Sequence, residues 1–509
     1  MCAALLVVSF AKVAGAGGPI GDDGTPVTTS DYAIDLFQGP IFAGSRVTGL
    51  GGAYVAISED VDGDLQNPAS VAVRPFFSYT YFDYWLGFGL TFPASLKNMD
   101  FFNSGASTKV ANAPQSFVFF TPAVNIQLGP LGAGYSLGLQ QYQLTPPDPA
   151  NATAETFSVS ISTMHFQVGY GFARNQWVAG FGARYVDMGL SRNGDLRSDF
   201  SSSGIGIEIG GVWKPENLPL RLGVAYRTPI ETLAHYTDDL LPNSEGDLIV
   251  SGAGGPKYLP KTVAVPWDLN FGFAVQFGKR PFNPPWETVS SLIERENLIH
   301  SLRRLDRETA KQAALAQATT PDEQARISRR FADEQKLDDD DLDRALRDAK
   351  WRIERNLLSM NTFYVQVSAA MLVTGPAQNA VGIESMLSQT VNRSGQKTVV
   401  SPRLGIESGV VPNLLKLRAG TYLEPTRFAT SSPRGHLTAG FDVKLAVWNV
   451  FGLWPDDYMW RLGFGADLAH RYTTWGITLA GWYPRHQGTD TIPTSPADPA
   501  ATRLTLKPQ

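Results

Sequence analysis

Residues 266–278 read PWDLNFGFAVQFG, and their side chains divide into two kinds at every second position. Trp267, Leu269, Phe271, Phe273, Val275 and Phe277 fall on one face, and Asp268, Asn270, Gly272, Ala274 and Gln276 on the other. A β-strand turns successive side chains to opposite faces, so this stretch is a strand with one apolar face and one polar or small face. A strand of a soluble sandwich alternates too. The wide, aromatic-rich apolar face and a length of about 10–14 residues fit a tilted crossing of a lipid bilayer better.

The same split recurs outward from this strand. Leu220, Leu222, Val224 and Tyr226 oppose Arg221, Gly223, Ala225 and Arg227. Leu415, Leu417, Ala419, Thr421 and Leu423 oppose Lys416, Arg418, Gly420, Tyr422 and Glu424. Leu437 to Leu445 and Tyr458 to Ala466 repeat it, with His436, Asp442, Lys444, Arg461 and Asp467 on the polar side. The pattern predicts an all-β transmembrane barrel of about 14 antiparallel strands. They are expected near 75–93, 113–125, 132–143, 155–171, 176–190, 202–213, 219–233, 265–279, 361–375, 398–410, 414–426, 435–449, 457–469 and 472–483. The first span is long enough for a hairpin between Phe76 and Phe92.

Short connections follow the even strands: Gly129-Pro130, Ala173–Gln176, Lys214–Pro219, Val411–Asn413 and Val450–Asp457. Long ones follow the odd strands. Outer-membrane barrels keep short turns on the periplasmic side and long loops outside. His470-Arg471 dissents, being short where a long loop is expected. An even strand count predicts both termini in the periplasm.

Composition agrees. The chain has 509 residues, 49 of them glycine, with 11% aromatics and a formal net charge of −5, which gives no attraction to nucleic acid. About a third of the charges lie between Glu294 and Arg355, leaving the rest poor in charge. The one cysteine, Cys2, excludes disulfides. Residues 1–16 read as an export leader ending in Ala14-Gly15-Ala16, although basic residues before the apolar run are missing. The expected divisions are 1–16, leader; 17–72, N-terminal extension and hatch; 73–283, strands 1–8; 284–358, a helical insertion; 359–483, strands 9–14; and 484–509, a Pro-containing tail.

In the insertion the apolar period changes from 2 to about 3.6. Leu298, Leu302 and Leu305 make one stripe, and Leu342, Leu346, Ala349, Ile353 and Leu357 another. Thr320-Pro321-Asp322-Glu323 reads as a helix start with a reciprocal cap. Asp338 to Asp341 precede the last helix in this reading and complement its N-terminus rather than forming a calcium loop. Parity puts the unit in the periplasm. Its stripes either pack on each other or meet a periplasmic protein.

Between leader and first strand, Gly44 to Val73 read GSRVTGLGGAYVAISEDVDGDLQNPASVAV. The segment is too short for a core of its own and needs walls around it. Its Gly49-Leu50-Gly51-Gly52-Ala53-Tyr54, Glu59-Asp60 and Asn67-Pro68-Ala69 resemble the segment before the first strand in the outer-membrane long-chain fatty acid and hydrocarbon transporters (FadL and TodX type), and in PorV-type barrels. The resemblance covers about thirty residues. It implies a hatch inside the lumen, a hydrophobic ligand pocket beside it, and passage by diffusion sideways or downward. Gly49, Gly51, Gly52, Asn67, Pro68 and Ala69 are then the hatch and gating residues. The chain departs from that family in its helical insertion and in a tail, Pro484–Gln509, that does not end on an aromatic residue.

Arg221, Arg227, Lys416 and Arg418 point inward by alternation. They either form a charge network holding wall and hatch together, or leave one cation to meet the carboxylate of an amphipathic ligand. Gly134-Tyr135-Ser136-Leu137-Gly138 matches a hydrolase elbow but lies within a strand, without the helix that motif needs. Gly204-Ile205-Gly206 lacks the helix of a dinucleotide site, and Asn151-Ala152-Thr153 is a sequon without meaning on a bacterial barrel. The histidines show no metal spacing. No cofactor, metal site or catalytic residue is expected. Three functions compete: passive transport of small hydrophobic molecules across the outer membrane, with its lipids as surroundings; a PorV-like scaffold for secreted proteins; and, last, a lipid hydrolase.

Overall fold

The computed structural model describes residues 20–76, 78, 81–93, 99–105, 117–144, 157–192, 200–236, 247, 249–252, 255–286, 289–358, 363–429, 431–448 and 459–482. The expected leader over 1–16, the 151–153 sequon and the 484–509 tail lie outside them. Fourteen strands make the wall: β1 (Phe82–Pro93), β2 (Phe117–Leu128), β3 (Leu131–Leu144), β4 (Phe157–Phe172) and β5 (Trp177–Arg192) come first. Next are β6 (Phe200–Trp213), β7 (Leu220–Arg227), β8 (Asp268–Gly278), β9 (Tyr364–Thr374) and β10 (Val399–Val411). The last are β11 (Leu415–Glu424), β12 (Arg434–Val447), β13 (Met459–Ala469) and β14 (Tyr472–Gly481). Each pairs antiparallel with the next, and β1 pairs with β14 from Gly87↔Ala480 to Pro93↔Thr474, which closes the barrel.

Closure leaves no open edge, which is what hydrocarbon surroundings demand of a sheet. The face written as apolar in the sequence points out. Phe166, Val168, Tyr170 and Phe172 on β4, Ile205, Ile207 and Ile209 on β6, and Phe271, Phe273 and Phe277 on β8 are all exposed. Between them Asn270, Ala274 and Gln276 are buried. An apolar belt around the whole wall is the build of a bacterial outer-membrane barrel. Among the described residues no helix is long and apolar enough to cross a membrane.

Three expectations need correction. The first strand starts at Phe82, not near 75, and contains no hairpin. The strand expected over 219–233 breaks at Thr228-Pro229, because proline brings no N–H to the ladder; Ile230–Leu233 then leaves the wall. The third concerns the N-terminal side. Ala33–Asp35 lies in parallel between Thr262–Val265 and Ala380–Val381, with Ile230–Leu233 and Arg393–Ser394 on the outer edges of that small sheet. Those partners belong to the long connections, so residues 20–35 sit at the loop end, not at the turn end where β1 begins. The chain therefore runs down through the barrel before it enters the wall.

On the way it forms α1 (Ser45–Gly49) against β12 and β13, then tight turns at Val61–Gly63 and Pro68–Ala72. The short connection His470-Arg471 does lie at the loop end, where the carbonyl of Arg471 accepts from Asp100 N at 2.9 Å. The insertion after β8 is a hairpin of α2 (Val289–Gln317) and α3 (Pro321–Leu358). Thr320 Oγ1 accepts from Glu323 N at 3.3 Å, and Glu323 reaches back to Thr319 N, one residue before the expected cap. Asp338–Asp341 lie inside α3 rather than before a helix: Asp338 and Asp339 pair with Arg307 and Arg304 of α2. The stripe of Leu298, Leu302 and Leu305 is exposed, while Leu342 and Leu346 are half-buried. A last short helix, α4 (Ile383–Ser388), lies in the connection after β9.

Candidate functional site

The lumen is shaped by glycines of the wall. A Cβ on Gly180 would lie 2.3 Å from the backbone of Pro68, one on Gly210 2.0 Å from Asn67 Oδ1, and one on Gly223 2.2 Å from the carbonyl of Val55. Gly420 faces Gly51 N in the same way, at 2.5 Å. Inward glycine thus lets the backbone of residues 44–73 lie flat on the wall, and the footprint runs through β5, β6, β7 and β11. The six hatch residues named from the sequence all belong to it. Gly49 abuts Gly440, and Gly51 and Gly52 have φ of +59° and +72°, a region closed to most side chains. Asn67 Oδ1 caps the turn by accepting from Ala69 N at 3.0 Å, and its Nδ2 donates to Val55 O at 2.9 Å and Gly211 O at 3.2 Å. Pro68 and Ala69 pack against Gly180.

Three of the four lumen cations named from the sequence are fully engaged. Arg418 pairs with Glu407 and holds Asp442 with two hydrogen bonds, one of 2.8 Å. Arg227 binds Asp268 at 3.0 Å and Glu208 at 3.3 Å. Arg221 donates to Glu59 at 2.9 Å. Arg46, which the sequence reading passed over, joins these groups: it holds Glu407 with two bonds of 2.9 Å and Glu59 with one of 3.1 Å. Arg461 extends the chain of charges from Asp442 to Asp62. Arg221, Arg227 and Arg418 are thus each held by a buried carboxylate. Lys416 differs: it lies with its ammonium 4.6 Å from the Trp482 ring and makes no ion pair among the described residues.

Above residues 65–66 a cavity of about 200 Å³ remains. Phe42, Phe119, Ile161 and Val186 give it an apolar side. Arg184, Arg227, Arg403 and Asp268 give it a polar one. Asp268 serves Arg227 and, at 3.7 Å, Arg184. Arg403 is left over. It is buried, and among the described residues its one side-chain hydrogen bond runs from Nε to Ser401 Oγ at 3.5 Å and it makes no ion pair. Its identity was hidden because a prolonged alternation, in which Ser401, Arg403 and Gly405 face inward, gives no clue to which cation lacks a partner. A smaller pocket towards the loop end, lined by Phe37, Phe101 and Tyr142, shares Phe42 and Ile161 with the cavity.

Near the other side of the cavity the wall is imperfect. The ladder between β2 and β3 pairs Phe120 with Leu139 and next Ala123 with Ser136, so Thr121 and Pro122 drop out of it. A narrow space there runs from Asp62 and Leu65 to Phe88 and Pro122, and Leu65 also lines the main cavity.

The hydrolase motif ends in an unexpected place. Ser136 pairs in register with His165, whose Nδ1 lies 3.0 Å from Glu208. Serine, histidine and acid are thus neighbours, yet among the described residues Ser136 Oγ makes no hydrogen bond, and it lines the narrow space, whereas His165 lines the main cavity. A nucleophile without a base in reach is not activated. The described residues contain no cluster of three metal-ligating groups.

No protein-family model matches the chain, and no curated protein does either. Among solved structures it is similar to the CymD monoaromatic hydrocarbon channel (11% identity, 88% of this chain and 100% of that one, TM-score 0.45). It is likewise similar to the toluene transporter TodX of Pseudomonas putida (12%, 89% and 98%, TM-score 0.43) and to a FadL homologue of Pseudomonas aeruginosa (10%, 91% and 100%, TM-score 0.44).

Proposed function

We propose that the protein is a passive conduit of the outer membrane for small hydrophobic or amphipathic molecules, such as long-chain fatty acids or hydrocarbons. The observation that carries this reading is the two-sided cavity, apolar at Phe119, Ile161 and Val186 and cationic at Arg403, set inside a wall that residues 44–73 otherwise fill. An open aqueous pore gives an apolar solute no favourable path, whereas a chain of apolar pockets does. The aromatic pocket at Phe101 supplies an entrance from the loop end. The gap in the β2–β3 ladder at Thr121-Pro122 supplies an exit sideways into the lipid, with residues 44–73 acting as a plug that blocks the way straight down. The short turns and α2–α3 face the periplasm in this reading. Binding of fatty acids and aromatic hydrocarbons to the purified barrel, together with growth of a deletion strain on them, tests it. Saturable binding with a growth defect supports it, and neither binding nor defect removes it.

A second reading is favoured by one observation. Leu298, Leu302 and Leu305 face away from α3, so α2 offers an uncovered apolar stripe. A scaffold barrel would use such a stripe to grip a periplasmic or secreted protein. Loss of a co-purifying partner when the three leucines become serine, with ligand binding intact, supports that role.

A further inference from the structure

The connection that leads to the helical hairpin does not leave the barrel directly. Its first residues, Arg280 to Trp286, cross the turn-end mouth. Arg280 donates to Gln276 on β8. Phe282 is buried and belongs to the apolar cluster of Ala56 and Ile57. Asn283 Nδ2 reaches the carbonyls of Pro215, Leu218 and Leu220 at 3.1, 2.9 and 2.8 Å, which ties it to the β6–β7 turn. Trp286 N donates to Arg174 O at 2.9 Å in the β4–β5 turn, and the Arg74 guanidinium lies 4.5 Å from its ring.

Arg221 joins this crossing to the lumenal segment. Its Nη1 donates to Ile57 O and to Glu59 Oε1, both at 2.9 Å. From the same guanidinium Nη2 donates to Phe282 O at 2.6 Å and Nε to Asn283 Oδ1 at 2.8 Å, and the group lies over the Phe282 ring at 4.1 Å. One wall side chain therefore spends all three nitrogens on two segments that are distant in sequence. Guanidinium is suited to this because its donors are fixed in a plane, which an ammonium cannot imitate.

We propose that residues 280–286 form a second closure beneath the plug, latched to it by Arg221, so that the root of the helical hairpin and the plug open together. The proposal rests on the plugged-conduit reading. Disturbing the hairpin root then loosens residues 56–59, although no residue of that stretch is changed. An insertion with no such duty would need none of the bonds from Asn283.

Ile57 is fully shielded, which makes it a reporter. In a full-length chain carrying Cys2→Ser and Ile57→Cys, the rate of modification by a small charged maleimide is measured in detergent. Asn283→Ala is expected to raise the rate at least tenfold. Arg221→Lys, which keeps the charge beside Glu59 and loses the fork to Phe282 and Asn283, is expected to do the same. Arg330→Ala, at an exposed ion pair with Glu334 along α3, is expected to leave it unchanged. Heat-shifted gel mobility establishes that each barrel is closed, and the conservative lysine variant decides the matter where the alanine variant does not fold. An unchanged rate in a folded Arg221→Lys barrel overturns the latch. Uptake of a hydrophobic probe is followed on the same preparations. A latch that opens in a barrel passing no hydrophobic compound would contradict the transport reading and leave the coupling standing.

Discussion

Arg46 and Glu407 meet through two parallel hydrogen bonds, Nε to Oε2 and Nη2 to Oε1, each 2.9 Å long. Arg46 stands on the segment inside the barrel, Glu407 on β10, and both are buried. Tyr364 donates a further bond of 2.6 Å to Glu407, so the carboxylate is supported from the wall as well. Desolvating two such charges is offset only while the geometry stays intact, and removing one partner leaves the other stranded.

Arg46→Ala is accordingly expected to cost about 3–5 kcal/mol. The loss is read as a lower unfolding midpoint in detergent. Arg46→Lys recovers part of it, since a point charge replaces one prong of two. A midpoint unchanged in Arg46→Ala would show that the network does not hold the lumenal segment.

The wall glycines give a steric prediction. Gly223→Val places methyl groups where Val55 O now lies, 2.2 Å from the first added carbon. Overpacking of this kind costs about 1–3 kcal/mol and is relieved most easily by shifting residues 53–58 off the wall. Single-channel recordings should then show ion conductance that the unaltered barrel lacks. Gly435→Ala, where nothing lies within 4 Å, is the matched variant that should stay silent.

Arg403 separates ligands by charge. A charge-assisted hydrogen bond in a buried site contributes about 1.5–3 kcal/mol, or about 10- to 150-fold in affinity. Arg403→Gln is expected to weaken binding of a fatty acid by that factor and to leave binding of an alkane of equal length nearly unchanged. Equal losses for both ligands would assign Arg403 to the wall alone.

Glu384, on α4 at the loop end, supplies a pH dependence. Burial raises its carboxyl from the usual 4.5 to about 7, the Ser104 hydroxyl that donates to it lowers it, and Asp100 raises it. A group bound more readily to its proton in the folded state contributes stability that is complete below its unfolded value and is lost as pH rises through the folded one. The packing of α4 against residues 99–105 should therefore be firm at pH 4.5 and loosen towards pH 7. Amide exchange of residues 99–105 reads this directly. Glu384→Gln should keep the low-pH protection across the whole window, and a persisting pH dependence in that variant would assign it to another group.

Much of this was legible in the sequence because the lipid writes its demand at every second residue. Trp267 to Phe277 needed no partner to be read as a strand, and the order of short and long connections told the turn end from the loop end except at His470-Arg471. The break at Pro229 was harder to see, since Leu220 to Tyr226 and Ile230 carry the same alternation while the proline changes only the hydrogen bonding. The loop-end position of residues 20–35 was hidden for a different reason. Ala33–Asp35 is too short to show a period, and its partners at 262–265 and 380–381 are far along the chain. Inward glycines such as Gly180 and Gly210 were visible as small residues. Their meaning as a footprint for Asn67 and Pro68 requires the two surfaces together. Arg46 was likewise in view, but which acid a buried cation meets is a property of the closed barrel and not of its spacing.

The most direct test of the account is flux through the purified barrel in sealed liposomes, followed with a fluorescent fatty acid and a potassium indicator in one experiment. A plugged conduit with an apolar route passes the fatty acid down its gradient faster than protein-free liposomes do and admits no potassium. Potassium entry at the rate of an open pore, or fatty-acid movement no faster than in bare lipid, would contradict it.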